Sequence, residues 1–437
     1  MVWWMSLLFL VGGVLSFFAI GLPVAFAFLL IDIIGIMVFM GGLGNLPQLV
    51  LSIYNSLSTF VLAPVPLFIL MGQIMFHSGM AYKAMDVIEI WLGKIPGRLS
   101  YLAIGGGTVF ASLSGSSMAS AAMMGSTLVP EMQSRGYSKE MTLGPILGSG
   151  GIAIMIPPSS LGVVLGSLAF IPIGKLLIGG IIPGILLALL YTLYLIYRFK
   201  KNPELAPVYE IKQRPLSERL IEFMKYVLPL GTIIFLVIGL IVLGVATPSE
   251  SAAMGALGSF VLAALYGKIN LKIIKKSIMQ TFNTSVMVLI IISGASAFSQ
   301  LLSFSGAARG LVNFVLGLEM APMSVLIAML LTLLVLGCFM EQTSMIMITV
   351  PIFMPLVHAL GFDIIWFGIL MLLTLEMAAT SPPFGLVLFV MKGVAPKNTT
   401  MGDIYKAALP YLTCDLIAMI LLIVFPALAL YLPSLIN

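Results

Sequence analysis

The residues able to do chemistry sit in four short interruptions of otherwise apolar segments: residues 113–117, 153–159, 341–344 and 378–384. Pro157-Pro158 and Pro382-Pro383 each remove two backbone donors and free carbonyls upstream. Ser114, Ser116, Ser117, Thr343 and Ser344 add hydroxyl oxygens. Together these are hard oxygen donors, the kind that suits an alkali cation. Half-helix N-termini beside them would favour a substrate anion. A single Pro-Ser break is explained as a kink with a satisfied carbonyl. Four breaks at matching positions weigh against that explanation.

Acids are sparse in these segments. An ionised acid at a helix centre costs about 2.5–3.5 kcal/mol in a bilayer, so Glu341 and Glu376 stand out. Glu341 admits three readings: a carboxylate ligand for a cation, a protonated acid inside the bundle, or a wet acid near the surface. Glu376 precedes the second Pro-Pro break. Glu250, in VATPSESAA (245–253), reads as a helix cap, and Asp32 and Asp415 read as internal hydrogen-bonding partners. GSGG (148–151) is followed by no Lys-Ser/Thr and sits in an apolar run, which excludes a phosphate loop.

The elements that must position these residues follow from composition. Of 437 residues, 60% are hydrophobic and 8% charged, against roughly a quarter charged in soluble domains. Apolar runs of ~20 residues recur along the chain, predicting an all-α polytopic membrane protein embedded in a lipid bilayer. The net charge of +5 is read as topology rather than nucleic-acid binding. Two Cys and two His, all far apart, argue against zinc, haem or disulfides. The 30 Met and 43 Gly fit adaptable packing and close helix approach. No basic residue precedes Lys83, so the first apolar segment is expected to be retained as a helix rather than cleaved.

The order of segments occurs twice. Pro23, Pro130, Gly136, Pro157 and Pro158 have partners 225 positions later in Pro248, Pro355, Gly361, Pro382 and Pro383. Lys83 pairs with Arg309, and Ser78-Gly79 with Ser305-Gly306, within two residues of the same shift. The predicted first repeat, 1–197, has scaffold helices in 1–80, an arm at 81–95, a hairpin at 96–134, a broken helix at 138–170 and a helix at 176–197. A polar linker, 198–225, follows. The second repeat, 226–437, has scaffold helices in 226–302, an arm at 305–317, a hairpin at 320–356, a broken helix at 363–391 and a helix at 407–433.

Placing the linker and KINLKIIKK (268–276) on one side leaves only Lys175 and Arg309 of the 21 basic residues opposite, so that side is cytoplasmic. Both termini then face the periplasm. The hairpin at 96–134 is re-entrant from the cytoplasmic face and its counterpart from the periplasmic face, so the repeat is inverted. Inverted repeats with broken helices point to a secondary transporter whose site lies near the bilayer midplane.

These residues resemble the large membrane subunit of tripartite ATP-independent periplasmic (TRAP) transporters, within the ion transporter superfamily. The resemblance covers nearly the whole chain. It rests on SLSGSSMASAAMMGSTLVPEMQSRGYSKEMTLGPILGSGGIAIMIPPSSLGVVLG (112–166), IGKLLIGGIIPGILL (173–187), GVATPSESAAMGALG (244–258) and PIFMPLVHALGFDIIWFGILMLLTLEMAATSPPFGLVLFVMKGVAP (351–396). It implies an elevator-type transporter of the bacterial inner membrane, driven by sodium. It also implies two partners, a small TRAP membrane subunit and a periplasmic substrate-binding protein, and import of an organic anion, a carboxylate or a sulfonate.

Carried onto this chain, the first sodium site would comprise Ser114, Ser117, Ala153, Ile156 and Pro158, largely through backbone carbonyls. The repeat then predicts Glu341, Ser344, Ala378, Ser381 and Pro383 as the second. Substrate would lie between them, near Ser116, Ser159, Thr343 and Thr380. The family commonly has Gly where Ala153 and Ala378 stand, and often Thr in place of Ser381. Ala keeps the carbonyl but narrows backbone freedom.

Alternatives are a transporter of the same superfamily that needs no binding protein, and a channel. A channel would show rings of charge or a repeated filter, and neither is evident. A membrane hydrolase would need a paired base and nucleophile, whereas His77 and His358 are isolated and no Asp pair lies at helical spacing; no enzyme is read. If Ser117 is a sodium ligand, Ser117→Ala raises the sodium concentration needed for half-maximal transport. Unchanged sodium activation refutes that role.

Overall fold

The structure, a computed structural model, describes residues 2–93, 95–114, 117–205 and 215–436, with the backbone alone for residues 81 and 109–114. Ser116 therefore lies outside the described residues, and Ser114 is placed only by its backbone, at the end of a helix. Among the described residues the chain is helical and contains no strand. Among the described residues six helices are long and apolar enough to cross a membrane, and the pair Lys139–Met155 and Ser160–Leu168, bent by 44°, would make a seventh.

The first predicted spans become helices Trp3–Ala19, Val24–Phe39 and Pro64–His77, the last opened by a short turn at Phe60–Leu62. The amphipathic stretches carrying Lys83 and Arg309 become Met80–Leu92 and Ala307–Gly317. Each follows a glycine in the left-handed region, Gly79 and Gly306. The interrupted segments become Arg98–Ser114 with Ser117–Ser134, and Pro322–Leu336 with Gln342–Ala359. The second Pro-Pro break separates Ile364–Thr380 from Leu386–Val394. Leu271–Phe304 is a single helix of 34 residues, and Met401–Val424 runs to the C-terminal turn of helix Ala427–Ser434.

Burial sorts these helices by role. In Lys139–Met155 every residue from Met141 onward is buried, and in Ile364–Thr380 every residue from Trp366 onward. A helix apolar all round belongs in an interior. These two pack against each other and are enclosed by Ser117–Ser134, Ile181–Lys201 and Met401–Val424. Leu228–Val242, by contrast, buries only Leu230, Ile233, Val237 and Ile241, one face at helical spacing. Its opposite face leaves Phe235 74% exposed, a surface suited to lipid. Pro64–His77 packs on Pro248–Leu265 and on Leu271–Phe304, and a second apolar cluster joins Leu10, Phe28, Ile291, Phe298 and Met347.

Three features differ from the sequence reading. Leu46–Leu57 forms a helix in a stretch where no element was expected; Pro47 opens its first turn, and Leu49 and Ser52 face inward. The polar linker is shorter than 198–225, because helix begins again at Leu216 and continues to Val242. The charges there are absorbed by local bonding: Arg219 donates to the Ile90 carbonyl at 2.7 Å while Trp91 donates to the Arg219 carbonyl at 3.3 Å. Finally, Asp32 does not find the partner expected of it. Both carboxylate oxygens are buried without one, in a helix that packs into the apolar cluster around Phe28 and Phe298. Asp415 does find one, the Tyr191 hydroxyl. Glu250 closes a capping box with Thr247.

The end of Pro322–Leu336 rests directly on the second broken helix. A Cβ at Gly337 would lie 2.2 Å from the Ala378 Cβ and 3.1 Å from its Cα, both rigid. Gly337→Ala should therefore force the two helices apart and lower stability by about 1–3 kcal/mol. A thermal melt of the purified protein checks this. Wild-type melting of the variant would mean that the contact is loose.

Candidate transport site at a buried carboxylate

Glu376 is the centre on which the four interruptions converge. It sits on Ile364–Thr380, one helical turn before the break, and is 1% exposed. Its Oε2 accepts a hydrogen bond from the Ser117 hydroxyl at 2.8 Å and another from Gln342 Nε2 at 2.9 Å. Gln342 also donates to the Leu375 carbonyl at 3.2 Å. Ser117 and Gln342 are the first residues of the helices that follow the two hairpin breaks. One carboxylate thus ties the tips of both interrupted segments to the second broken helix.

The first broken helix reaches the same point through glycine. A Cβ at Gly150 would lie 2.7 Å from Glu376 Oε1 and 3.1 Å from the Ser117 Cβ, so any larger residue would have to displace the carboxylate from its present position. The other carboxylate oxygen, Glu376 Oε1, is buried without a partner, and so is the Ser344 hydroxyl. Hydrogen-bonding requirements normally leave few such atoms in a native interior. Two such oxygens therefore stand out, one on Glu376 and one on the helix that begins at Gln342.

The sequence-predicted residues distribute around this centre. Ser117 is buried and held by Glu376, and Ala153 and Pro158 are buried close to the first break. Ile156 ends its helix, its amide still bonded to the Ile152 carbonyl. Ser159 caps Ser160–Leu168, accepting from Gly162 N at 3.1 Å. Ser344, Thr343 and Ala378 are buried. Glu341 accepts from the Thr343 hydroxyl two residues on at 2.8 Å, a bond compatible with each of the three readings of this acid. Thr380 and Ser381 donate to main-chain carbonyls, at 3.0 Å to Glu376 O and 2.6 Å to Met377 O. A hydroxyl that donates its proton this way keeps lone pairs for a cation. Pro383 stands apart: it is exposed, and its carbonyl accepts from Tyr405 at 2.6 Å. Both Pro-Pro bonds are cis.

Sequence reasoning noticed Glu376 as an acid but gave it no place in the site, and it gave none to Gln342. The available signal was a lone acid in a fully apolar run. Its partners were out of reach, because Ser117 lies 259 residues away in the chain.

Residues 11–428 match the family model of the tripartite ATP-independent periplasmic transporter, DctM component. The chain belongs to this family. It is 32% identical over 390 residues to the C4-dicarboxylate TRAP transporter large permease protein DctM of Pseudomonas aeruginosa, covering 89% of each. It is 29% identical over 428 residues to the ectoine TRAP transporter large permease protein TeaC of Halomonas elongata, covering 98% of each. Its fold is also similar to the YdaH transporter of Alcanivorax borkumensis, with a TM-score of 0.62 at 13% identity, over 90% of this chain and 88% of that one. The protein is a TRAP large permease, a multi-pass membrane protein of a transporter family.

In this TRAP large permease the Glu376 triad carries measurable energy. Leaving buried donors unpaired costs about 1–3 kcal/mol each. A double-mutant cycle of Gln342→Leu and Glu376→Gln, read by thermal unfolding, should give a coupling of about 1–2 kcal/mol. Additive effects would separate the two side chains.

Proposed function

We propose that this permease imports an organic anion across the bacterial inner membrane, coupled to sodium, by an elevator mechanism. The observation that carries the reading is the meeting of Ser117, Gln342 and Gly150, from both interrupted segments and the first broken helix, at Glu376 on the second, whose Oε1 has no partner. Non-helical backbone at membrane depth is tolerated only where it is buried in protein or lines a cavity. Here it coincides with hydroxyls, freed carbonyls and a carboxylate.

In this reading sodium is held by Ser117 with the carbonyls of the first break, and by Ser344, Glu341 and the second break. The ion would supply fixed positive charge between half-helix ends, next to which a substrate anion is stabilised. Substrate is placed near Ser159, Thr343 and Thr380, together with Ser116. Sodium binding would tie the tips to the broken helices and so make the moving unit rigid before it crosses. The two halves are read as inverted repeats, each contributing one tip and one broken helix. The scaffold is read as the helices with lipid-exposed faces, and the basic loops as cytoplasmic.

The partners in this proposal are a small membrane subunit and a periplasmic binding protein that delivers the anion. Relatives are named for C4-dicarboxylates and, at 30% identity, for isethionate, in an assignment to DctMQ of Oleidesulfovibrio alaskensis. Carboxylates and sulfonates are accordingly the substrate classes proposed.

The test is reconstitution of the permease with its small subunit into proteoliposomes. Uptake of a labelled organic anion should require both an inward sodium gradient and the binding protein. Equal uptake with potassium in place of sodium would sink the sodium coupling. Full uptake without the binding protein would favour an independent transporter of the same superfamily.

A further inference from the structure

Glu376 does not face packed protein on all sides. It borders a small, partly open cavity of about 10 Å³, formed where Lys139–Met155, Ile181–Lys201, Ile364–Thr380 and Met401–Val424 meet. Five of the residues that line it bear a side-chain oxygen: Glu376, Asp415, Tyr191, Tyr411 and Thr380. Its floor is the glycine motif of the first broken helix, Gly148 and Gly151. A Cβ on Gly151 would lie 3.2 Å from Glu376 Cγ and 3.3 Å from the Tyr191 hydroxyl, and one on Gly148 would lie 2.4 Å from the Tyr411 ring. The absence of side chains at these two positions is what leaves the space open.

The oxygens around it are not satisfied by each other. The Tyr191 hydroxyl donates to Asp415. Glu376 spends its other oxygen on Ser117 and Gln342, which leaves Oε1 without a partner. The Tyr411 hydroxyl is also unpartnered, on a residue 2% exposed whose ring packs edge-on to Tyr191 at 5.1 Å. No Lys, Arg or His lines the cavity. Two carboxyl groups therefore share a buried space with no cationic side chain among the described residues that line it, where the ionised form is costly unless something positive joins it.

We propose that this cavity binds one small monovalent cation, of the size of dehydrated sodium, as a site distinct from those at the two breaks. The volume matches a single water-sized occupant and admits no hydrated ion. All the donors are hard oxygens, which favours an alkali cation over a soft or transition metal. A water molecule in the same place would bond the orphaned oxygens and leave the two acids protonated, whereas a cation would hold them ionised. Through Glu376, whose second oxygen holds Ser117 and Gln342, occupancy of the cavity also steadies the two tips. The site thus feeds the same carboxylate on which the sodium-coupled reading rests, and the inference builds on that reading.

The experiment measures equilibrium binding of radioactive sodium alone to the purified full-length chain in nanodiscs. Tyr411→Phe removes one hydroxyl, Asp415→Asn one charge, and Gly151→Ala fills the floor. Relative to wild type, Asp415→Asn and Gly151→Ala should each bind one sodium fewer, and Tyr411→Phe should weaken one class of site by tenfold or more. Melting in sodium-free buffer identifies variants that fold. If Asp415→Asn does not fold, Tyr411→Phe decides alone, since it leaves the Tyr191–Asp415 pair untouched. Wild-type stoichiometry and affinity in the folded variants would overturn this site while leaving sodium coupling intact. Absence of saturable sodium binding to the wild-type protein would remove the sodium-coupled reading itself.

Discussion

A peptide group in hydrocarbon has no water to bond, and that constraint governs this protein. Each unsatisfied backbone group there costs several kcal/mol, so a chain that breaks its helices inside the bundle must surround the breaks with protein. The consequence is visible in burial. Among the described residues the two helices that end at Pro-Pro breaks are the most enclosed, whereas Leu228–Val242 carries a broad exposed apolar face. Interrupted backbone and complete burial go together because the second makes the first affordable.

The same enclosure raises the stakes for the polar groups inside it. Glu376 sits in a low-dielectric interior, where an unpaired charge is expensive and a charge-assisted hydrogen bond is strong. Its two donors come from segments far apart in the chain, so the carboxylate acts as a cross-brace between pieces that local backbone bonding cannot join. Glycine at position 150 lets a third piece reach the same oxygen atoms. Membrane helices lack the hydrophobic drive that assembles soluble cores, and close approach through small residues together with polar bonds takes its place.

Much of the architecture was legible in the sequence because apolar length and Pro-Gly punctuation are local signals. The interrupted segments at 97–133 and 320–355 resolve into helix pairs broken where SLSGSS and EQTS stand, and GSGG lies in a buried helix rather than a loop. Helix Leu46–Leu57 was missed because its polar Ser and Asn residues dilute an apolar run of only modest length. The early restart at Leu216 was missed because Arg219 and Lys225 look like linker, whereas Leu216, Leu220 and Ile221 supply enough apolar surface to continue the helix. For the site, residue types marked the breaks but not the bonds between them. Glu376 with Ser117, and Asp415 with Tyr191, are pairings across more than 200 residues, and no periodicity reports them. Asp32 shows the reverse limit: an acid in an apolar helix invites a partner that packing does not supply.

Leu271–Phe304 has one further consequence. At 1.5 Å per residue its 34 residues extend about 51 Å, well beyond the ~30 Å of bilayer hydrocarbon. Tilt takes up part of the excess, and the rest must stand clear of the lipid tails. Lys272, Lys275 and Lys276 lie in its first turns, where a protruding end would meet phosphate headgroups. The charged end would anchor this helix in the headgroup layer. It packs along Val24–Phe39, Leu46–Leu57 and Pro64–His77, and so would carry that anchorage to each of them. Helices joined in this way would share one depth in the membrane, set by the lysines at the end of a single strut.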